Sequence, residues 1–399
     1  MSTQKEHSPL SNVLILLMAL GACIIVMNLY YVQPLLHQLR GDFHVSTATA
    51  AALMTCTQIG YALGLAFVVP LGDIIPRRKL VVGIFLLAAL MIGIGSFITS
   101  FTFFVMLSVL IGLTSVGGQV IIPFAADLAP EEQRGRVIGK VMTGLLMGVL
   151  LSRTFAGLIA QAWGWRAVYV CAAVLLVVMA GVMHFALPQE PTRSHVRYRT
   201  LVMSSWLLIT KHRQLQKRAY LGSLLFAANS TLWTPLSFHL AGAPFKYSNA
   251  VIGLFGLFGV AGILAANAAG AQADKQRTKV MTVIGAAILM VSFVILGIGQ
   301  HMLMGLAIGI IVMDAGMQTV QITNQTVIYS LMPEARSRIN SAYMVCCFSG
   351  ASIGSYLAGV VYSSYGWTGD CWLGGIFGAA IVIPALVWRA PATTSVSTS

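Results

Sequence analysis

Leu80-Val-Val-Gly-Ile-Phe-Leu-Leu-Ala-Ala-Leu-Met-Ile-Gly-Ile-Gly-Ser-Phe-Ile-Thr-Ser100 carries no charged residue, and Arg77-Arg78-Lys79 stands directly before it. A helix needs about 20 apolar residues to cross the hydrocarbon core of a bilayer. The run meets that length, so it reads as a membrane span with a basic anchor at one end. The same ruler finds five more runs in the first half of the chain: Leu10–Tyr31, Ala48–Leu71, Phe103–Ala125, Val137–Gln161 and Ala167–Leu187. Six follow in the second half: Tyr220–Leu240, Val251–Ala271, Val280–Ile298, Met302–Val327, Ile339–Tyr365 and Cys371–Trp388.

Composition supports this reading. Of 399 residues, 57% are hydrophobic and 9% charged, with a mean hydropathy of +0.84. Soluble domains carry about 25% charged residues, so this chain cannot coat a water-exposed surface. Transmembrane barrels would show polar and apolar residues alternating over about 10 positions, and these runs do not alternate. Met1 to Pro9 is polar and the apolar run after it is long enough to span, so the start reads as a membrane anchor rather than a cleaved signal. The six cysteines lie in or against apolar runs without metal-ligand spacing, which reads as buried thiols with no metal or cofactor.

The basic residues set an expected orientation. Of 24 Lys and Arg, all but Arg40, Arg153, Arg166 and Lys246 fall on segments that share one side if the N-terminus is cytoplasmic. That asymmetry is the positive-inside pattern. It accounts for the net charge of +13 as topology, without a contiguous nucleic-acid surface. The expectation is an inner-membrane protein with both termini in the cytoplasm, working as a monomer. Between the halves, Leu201 to Ile209 followed by Lys211-His-Arg213 suggests an amphipathic interfacial helix, although a plain tether fits as well. The expected organisation is a half at 1–187, a linker at 188–217, a half at 218–390 and a polar, disordered tail at 391–399.

An internal repeat is the strongest organisational signal. Asn28 and Pro34 recur as Asn229 and Pro235, and Asp73 recurs as Asp274. Pro130-Glu131 with Arg134 and Arg136 recurs as Pro333-Glu334 with Arg336 and Arg338. Ala156-Gly157 and Gly164-Trp165 recur as Ala358-Gly359 and Gly366-Trp367. Landmarks from separate helix pairs keep one register. Two similar halves on one linker can rock about a shared interface and expose a midplane site to each side in turn.

These residues resemble the major facilitator superfamily. Leu71-Gly-Asp73-Ile-Ile-Pro76-Arg77-Arg78-Lys79 is similar to its loop signature G-x-L-A-D-R-x-G-R-R, with Val69, Ile74 and Pro76 as departures. Gly270 to Lys275 resembles the second-half copy, and Glu131 to Arg136 with Gly164-Trp165-Arg166 fits the loops around span five. Asn28 to Leu36, with Gly60-Tyr-Ala-Leu-Gly64, is similar to arabinose-efflux-like and drug–proton antiporter permeases. The resemblance implies an all-α membrane protein of twelve helices in two pseudo-symmetric six-helix halves, with spans one, four, seven and ten lining a cavity. It also implies a conformational latch around Asp73, Arg77, Arg78, Asp274, Arg134 and Arg336. Span four has Ser108 where proton-driven members carry arginine, and span five lacks the antiporter motif.

Two charged residues stand inside spans. Asp314 lies deep in span ten and heads a stripe with Gln318, Gln321 and Gln325 on one helical face. An isolated charge there costs about 2.5–3.5 kcal/mol on insertion scales, so it should face protein or water. It is the first candidate for substrate binding or proton coupling, with a structural carboxylate as the alternative. Arg153 lies in span five and cannot shed its proton. Either it pairs with Asp314 across the halves, or it reaches the outer interface or backbone carbonyls. Asn28, Asn229, Gln119, Trp233, Gln33, Gln58, Thr231, Asn324, Tyr30 and Tyr31 are further candidate contacts, or links between helices. The expected function is secondary transport of a small molecule. Efflux by proton antiport is the leading form, with facilitated uniport, import or a ligand receptor as alternatives. No P-loop or metalloprotease pattern points to an ATP motor or an enzyme.

Overall fold

The computed structural model describes residues 11–189, 197–259, 278–331 and 336–387. Asp274, the expected residues 190–196 of the linker, the end of span eight and the tail lie outside these, as do the side chains of Ser205, Arg336 and Ser337. The described residues are helical throughout, with no strand.

The first half contains α1 (Asn12–Met27), α2 (Leu36–Asp42), α3 (Thr47–Leu63), α4 (Arg77–Phe97), α5 (Phe101–Thr114), α6 (Gly117–Leu128), α7 (Arg134–Trp163) and α8 (Trp165–Ala186). Then comes the connecting α9 (Tyr198–Lys211). The second half contains α10 (Arg213–Trp233), α11 (Leu236–Ala241), α12 (Asn249–Leu254), α13 (Thr278–Ile298), α14 (Leu303–Leu331) and α15 (Arg336–Val387). Eight helical segments are long and apolar enough to cross a membrane among the described residues. The difference from twelve has identifiable causes. Gly366, at φ 62, breaks α15 into two spans. The first helix and Asn249–Gly259 are shorter within the described residues. The polar opening Arg213-Gln-Leu-Gln-Lys-Arg dilutes α10. The molecule is an all-α membrane protein of two pseudo-symmetric halves.

Span one differs from its sequence reading. Its helix does not stop near Tyr31 but breaks after Met27, passes through a 3₁₀ turn at Gln33–Leu35 and resumes as α2 to Asp42. Pro34 has no N–H to continue the ladder, which accounts for the break. Pro235 produces the matching break between α10 and α11. The repeat is also visible in the backbone: Gly164 and Gly366 both adopt positive φ, and the tryptophan after each is buried. Trp165 Nε1 donates to Asp42 at 2.8 Å, and Trp367 Nε1 donates to the Leu296 carbonyl at 3.0 Å.

Four hydrophobic clusters result among the described residues: one from residues between Ile15 and Leu187 with Phe238, one from Leu221 to Ile381, one joining Leu29, Tyr61 and Leu65 to Val345 and Phe348 across the halves, and one around Leu215, Ile339 and Tyr343. Small residues bring helices together within each half. A Cβ on Gly148 would run into the Cys23 carbonyl of α1, and one on Gly350 into the Ser223 carbonyl of α10. Exposed Leu86, Leu87 and Leu90 on α4, Val174, Val177 and Val178 on α8, and Val291 and Val294 on α13 form an apolar exterior. Water would not favour such a surface; lipid does.

The halves meet along α3 and α15, where Tyr61 of α3 and Leu65 just after it pack on Phe348 and Val345, and again at the end away from the basic loops. Gly157 of α7 lies against the Asn249 carbonyl and Gly253, while Gly359 of α15 lies against Ala48 and Ala51 of α3. Asn249 Nδ2 donates to Gln38 Oε1 at 2.6 Å, and Thr55 and Ser355 share a hydrogen bond of 2.8 Å. At the basic end, a groove lined by Asp73, Arg77 and Pro123 faces Arg338 and Ser341 of the second half, with Leu201 of α9 beside it.

Candidate functional site

Arg153 is 4% exposed and sits on the face of α7 that turns toward the second half. Its position follows from the two helix breaks. The turn after α1 presents Tyr30 and Gln33 inward, and the end of α10 before Pro235 presents Trp233. Arg153 Nε donates to Gln33 Oε1 at 2.7 Å and Nη1 to the Val149 carbonyl at 3.3 Å. Its guanidinium carbon lies 3.7 Å from the centre of the Trp233 ring and 5.3 Å from that of Tyr30. A desolvated cation–π contact contributes about 2 kcal/mol, and a hydrogen bond from a charged donor about 1.5–3 kcal/mol. Together these offset the insertion cost of about 2.5–3.5 kcal/mol. A buried arginine is therefore tenable here without an acid in contact.

The ion pairs formed among the described residues do not include Arg153 with Asp314. The arginine does not reach the outer interface either. Both charges instead flank one short 3₁₀ segment, Phe255–Gly259, of the second half. A Cβ on Gly256 would lie 3.0 Å from Arg153 Cβ, and one on Gly259 would lie 2.9 Å from Asp314 Oδ2. Residues three apart eclipse in a 3₁₀ helix, about 6 Å apart along its axis. The two glycines thus form one side-chain-free face with the cation at one end and the carboxylate at the other.

The rest of the α14 stripe divides. Gln318 is half-buried, with no hydrogen bond to a described residue. Gln321 accepts from the Tyr343 hydroxyl at 2.7 Å, and Asn324 Nδ2 donates to the same hydroxyl at 3.3 Å. Arg218 completes this network, its Nη1 donating to Thr282 at 2.9 Å and to Asn324 at 3.1 Å. The sequence counts Arg218 only among the basic residues of one side; the structure turns its guanidinium inward among the helices of the second half.

Among the other candidates, Asn28 is buried with both amide atoms unpartnered among the described residues, as is Gln58 Oε1. Gln58 Nε2 reaches Ser230 of the other half at 3.3 Å. Gln119 Nε2 lies 3.5 Å from the Tyr61 hydroxyl, and Tyr61 packs on Phe348 with ring centres 4.4 Å apart. Asn229 is half-buried beside Ser230 and Thr231. Thr231 is satisfied within α10 by Ala228.

The expected latch centres on Arg77, which is buried and donates to Asp127 at 2.7 Å and to the Gly72 carbonyl at 3.3 Å. Asp73 lies 4.0 Å away and is half exposed. Its ion partner belongs to its own half, while Arg338 stands across the groove. Arg134 Nε donates to the Ala126 carbonyl at 3.1 Å, and Arg78 is partly exposed. Asp127 is missing from the sequence reading; an acid just past the end of span four was the available signal.

The Major Facilitator Superfamily model matches residues 18–355. The chain is 43% identical over 385 residues to the uncharacterized transporter YgaY of Escherichia coli O157:H7, covering 96% of this chain and 97% of that one. Its fold is similar to that of a nucleoside transporter, NupG, with a TM-score of 0.77 at 12% identity, covering 94% and 99% of the two chains. It is similar as well to a D-xylose–proton symporter, with a TM-score of 0.76 at 15% identity, covering 94% and 97%.

Proposed function

We propose that this chain, which belongs to the Major Facilitator Superfamily, carries a small organic molecule by alternating access, with Arg153, Trp233, Tyr30, Gln33 and Asp314 as its contact point. It is a multi-pass membrane transporter. The observation that carries the finer reading is the Arg153–Trp233 contact, because it joins a buried cation of one half to an aromatic face of the other. Rocking of the halves at 1–187 and 218–390 about the 188–217 linker parts that contact. A guanidinium left without its ring face then has a reason to bind substrate. Asn28 and Asn229, at matching places in the repeat, supply further hydrogen bonds, and Gln119 and Gln318 border the same seam.

The form we propose is efflux by proton antiport across the inner membrane, with the basic end and both termini in the cytoplasm and a monomer as the unit. The resemblance to efflux permeases supports the direction, and Asp314, alone on the inner face of α14, supports the coupling. Asp73, Arg77, Arg78 and Arg134 serve as the first half's side of the inner latch, with Arg338 and Arg336 opposite. A second reading, proton symport of a sugar-like or nucleoside-like molecule, draws on the names of the two structural neighbours.

Reconstituted vesicles with an imposed pH gradient and a panel of small organic compounds separate these forms. Antiport accumulates substrate in the acidic compartment and symport in the alkaline one. Asp314→Asn should remove the dependence on the gradient, and Arg153→Ala should reduce uptake under either polarity. If both variants moved compounds as the native chain does, the site assignment would fall.

A further inference from the structure

Asp370 is 1% exposed, and neither carboxylate oxygen has a hydrogen-bond partner among the described residues. It lies in the first turn after the Gly366 break of α15, at the end away from the basic loops. An ionised carboxylate taken out of water with no partner is among the most costly arrangements a protein can hold. The neutral acid is far cheaper, since it has no charge to solvate.

The surroundings tie this residue to the closed interface. Tyr362, two turns before it on α15, packs against the cores of both halves. Its ring lies 6.0 Å from Phe238, which in turn meets His37 of the first half at 6.4 Å. Tyr362 is within electrostatic range of Asp370 on one side and of Arg40 of α2 on the other. Arg40 itself donates to Thr47 and forms no ion pair with Asp370. The other titratable groups nearby are Cys371 on the same element and His239 of α11, which stacks on Trp367 at 4.2 Å with His301 beyond it. On this stretch of α15, α13 packs Gly297 against Cys371 and Phe293 against Gly374, and neither carries a charge. The closed end therefore holds a carboxyl that no neighbour compensates.

We propose that Asp370 is a proton-binding site of the outer gate, holding a proton while the two halves are closed there and releasing it to outside water when they part. The proton forms the carboxyl O–H bond as the gate closes, and that bond breaks to water as it opens. Acid outside the cell thus favours closure, and the closing step carries one proton into the protein. This inference rests on the alternating-access reading above. It adds a second proton site, distinct from Asp314.

Two measurements test it. Infrared spectra of the purified native-sequence protein near neutral pH should show a protonated carboxylic acid carbonyl band that Asp370→Asn removes and Asp370→Glu restores. An unchanged band in Asp370→Asn would overturn the proposal. Second, Asn249→Cys in a background with the six native cysteines replaced is labelled from outside with a membrane-impermeant maleimide. One linked proton changes the open-to-closed ratio by at most about tenfold per pH unit. Labelling should rise with pH up to that limit, and Asp370→Asn should flatten the profile. If Asp370→Asn kept the native pH profile, the proton site would be wrong while alternating access stood. If Asn249→Cys were never labelled at any pH, both readings would fall.

Discussion

The Arg153 guanidinium lies 3.7 Å from the centre of the Trp233 ring, so a cation of the first half rests on an aromatic face of the second. The contact is buried on both sides, and among the described residues no carboxylate in ion-pair range accompanies it. Its strength therefore depends on the ring and on Gln33, and that dependence can be measured.

A double-mutant cycle of Arg153→Ala and Trp233→Ala, read from thermal unfolding in detergent, should give a coupling of about 1–2 kcal/mol. Trp233→Phe should cost less than Trp233→Ala, because a smaller π face remains. Arg153→Lys should not rescue, since an ammonium lacks the planar fork that holds Gln33 and the ring together. Additivity within about 0.3–0.5 kcal/mol would mean that the contact has no energetic weight.

Gly157 and Gly359 sit at two helix crossings between the halves at the end away from the basic loops, each with no room for a side chain. Gly157→Val and Gly359→Val should each overpack the closed form by about 1–3 kcal/mol, a cost the open form escapes. External labelling at position 249 should then rise in both variants, by about 5-fold or more for 1 kcal/mol or more. Equal labelling in the native and substituted proteins would show that these glycines do not set the balance. The same substitution at Gly135, where a Cβ meets nothing, serves as the control.

The fold was legible because its signals are additive. Charge-free runs, a lopsided distribution of Lys and Arg and a repeat anchored at Asn28, Asp73, Gly157 and Trp165 all point one way. The site was legible only in its charged members. Arg153 and Asp314 stand out against apolar neighbours, whereas the glycine face between them is invisible in a membrane sequence rich in glycine. Arg218 was hidden by its basic neighbours, since sequence cannot tell which arginine of a cluster folds inward. Asp370 was hidden by its place between two spans. A residue at a helix end reads as solvated until the packing of Tyr362 and Trp367 shows otherwise.

Arg77 is the buried member of the basic-end network, and Asp127 is its short partner. Asp127→Asn should lower stability by about 1–2 kcal/mol, below the 3–5 kcal/mol of a fully buried pair because Asp127 keeps solvent access. Asp73→Asn should cost less, given its 4.0 Å separation and greater exposure. Unfolding midpoints in detergent check the order. If Asp73→Asn proved the more costly, Asp73 would owe its weight to a contact other than Arg77.

The connecting helix α9 borders the basic-end groove. The Tyr198 hydroxyl donates to the Phe67 carbonyl at 2.6 Å, in the irregular stretch that ends span two. Further along α9, Trp206 and Ile209 share a small pocket with Leu65 and Ala66 of the first half and Val345 of the second. One helix thus touches both halves at the basic end, so parting the halves there would strip at least one set of these contacts. Tyr198→Phe removes a hydrogen bond of about 0.5–1.5 kcal/mol and should raise labelling of an Ser341→Cys variant from the basic side by about 2- to 12-fold, the same energy expressed as a ratio. Trp206→Ala should add to that effect, because it empties the other end of the strap. A helix that merely tethers the halves predicts no change at Ser341 in either variant, and that result would remove α9 from the gate.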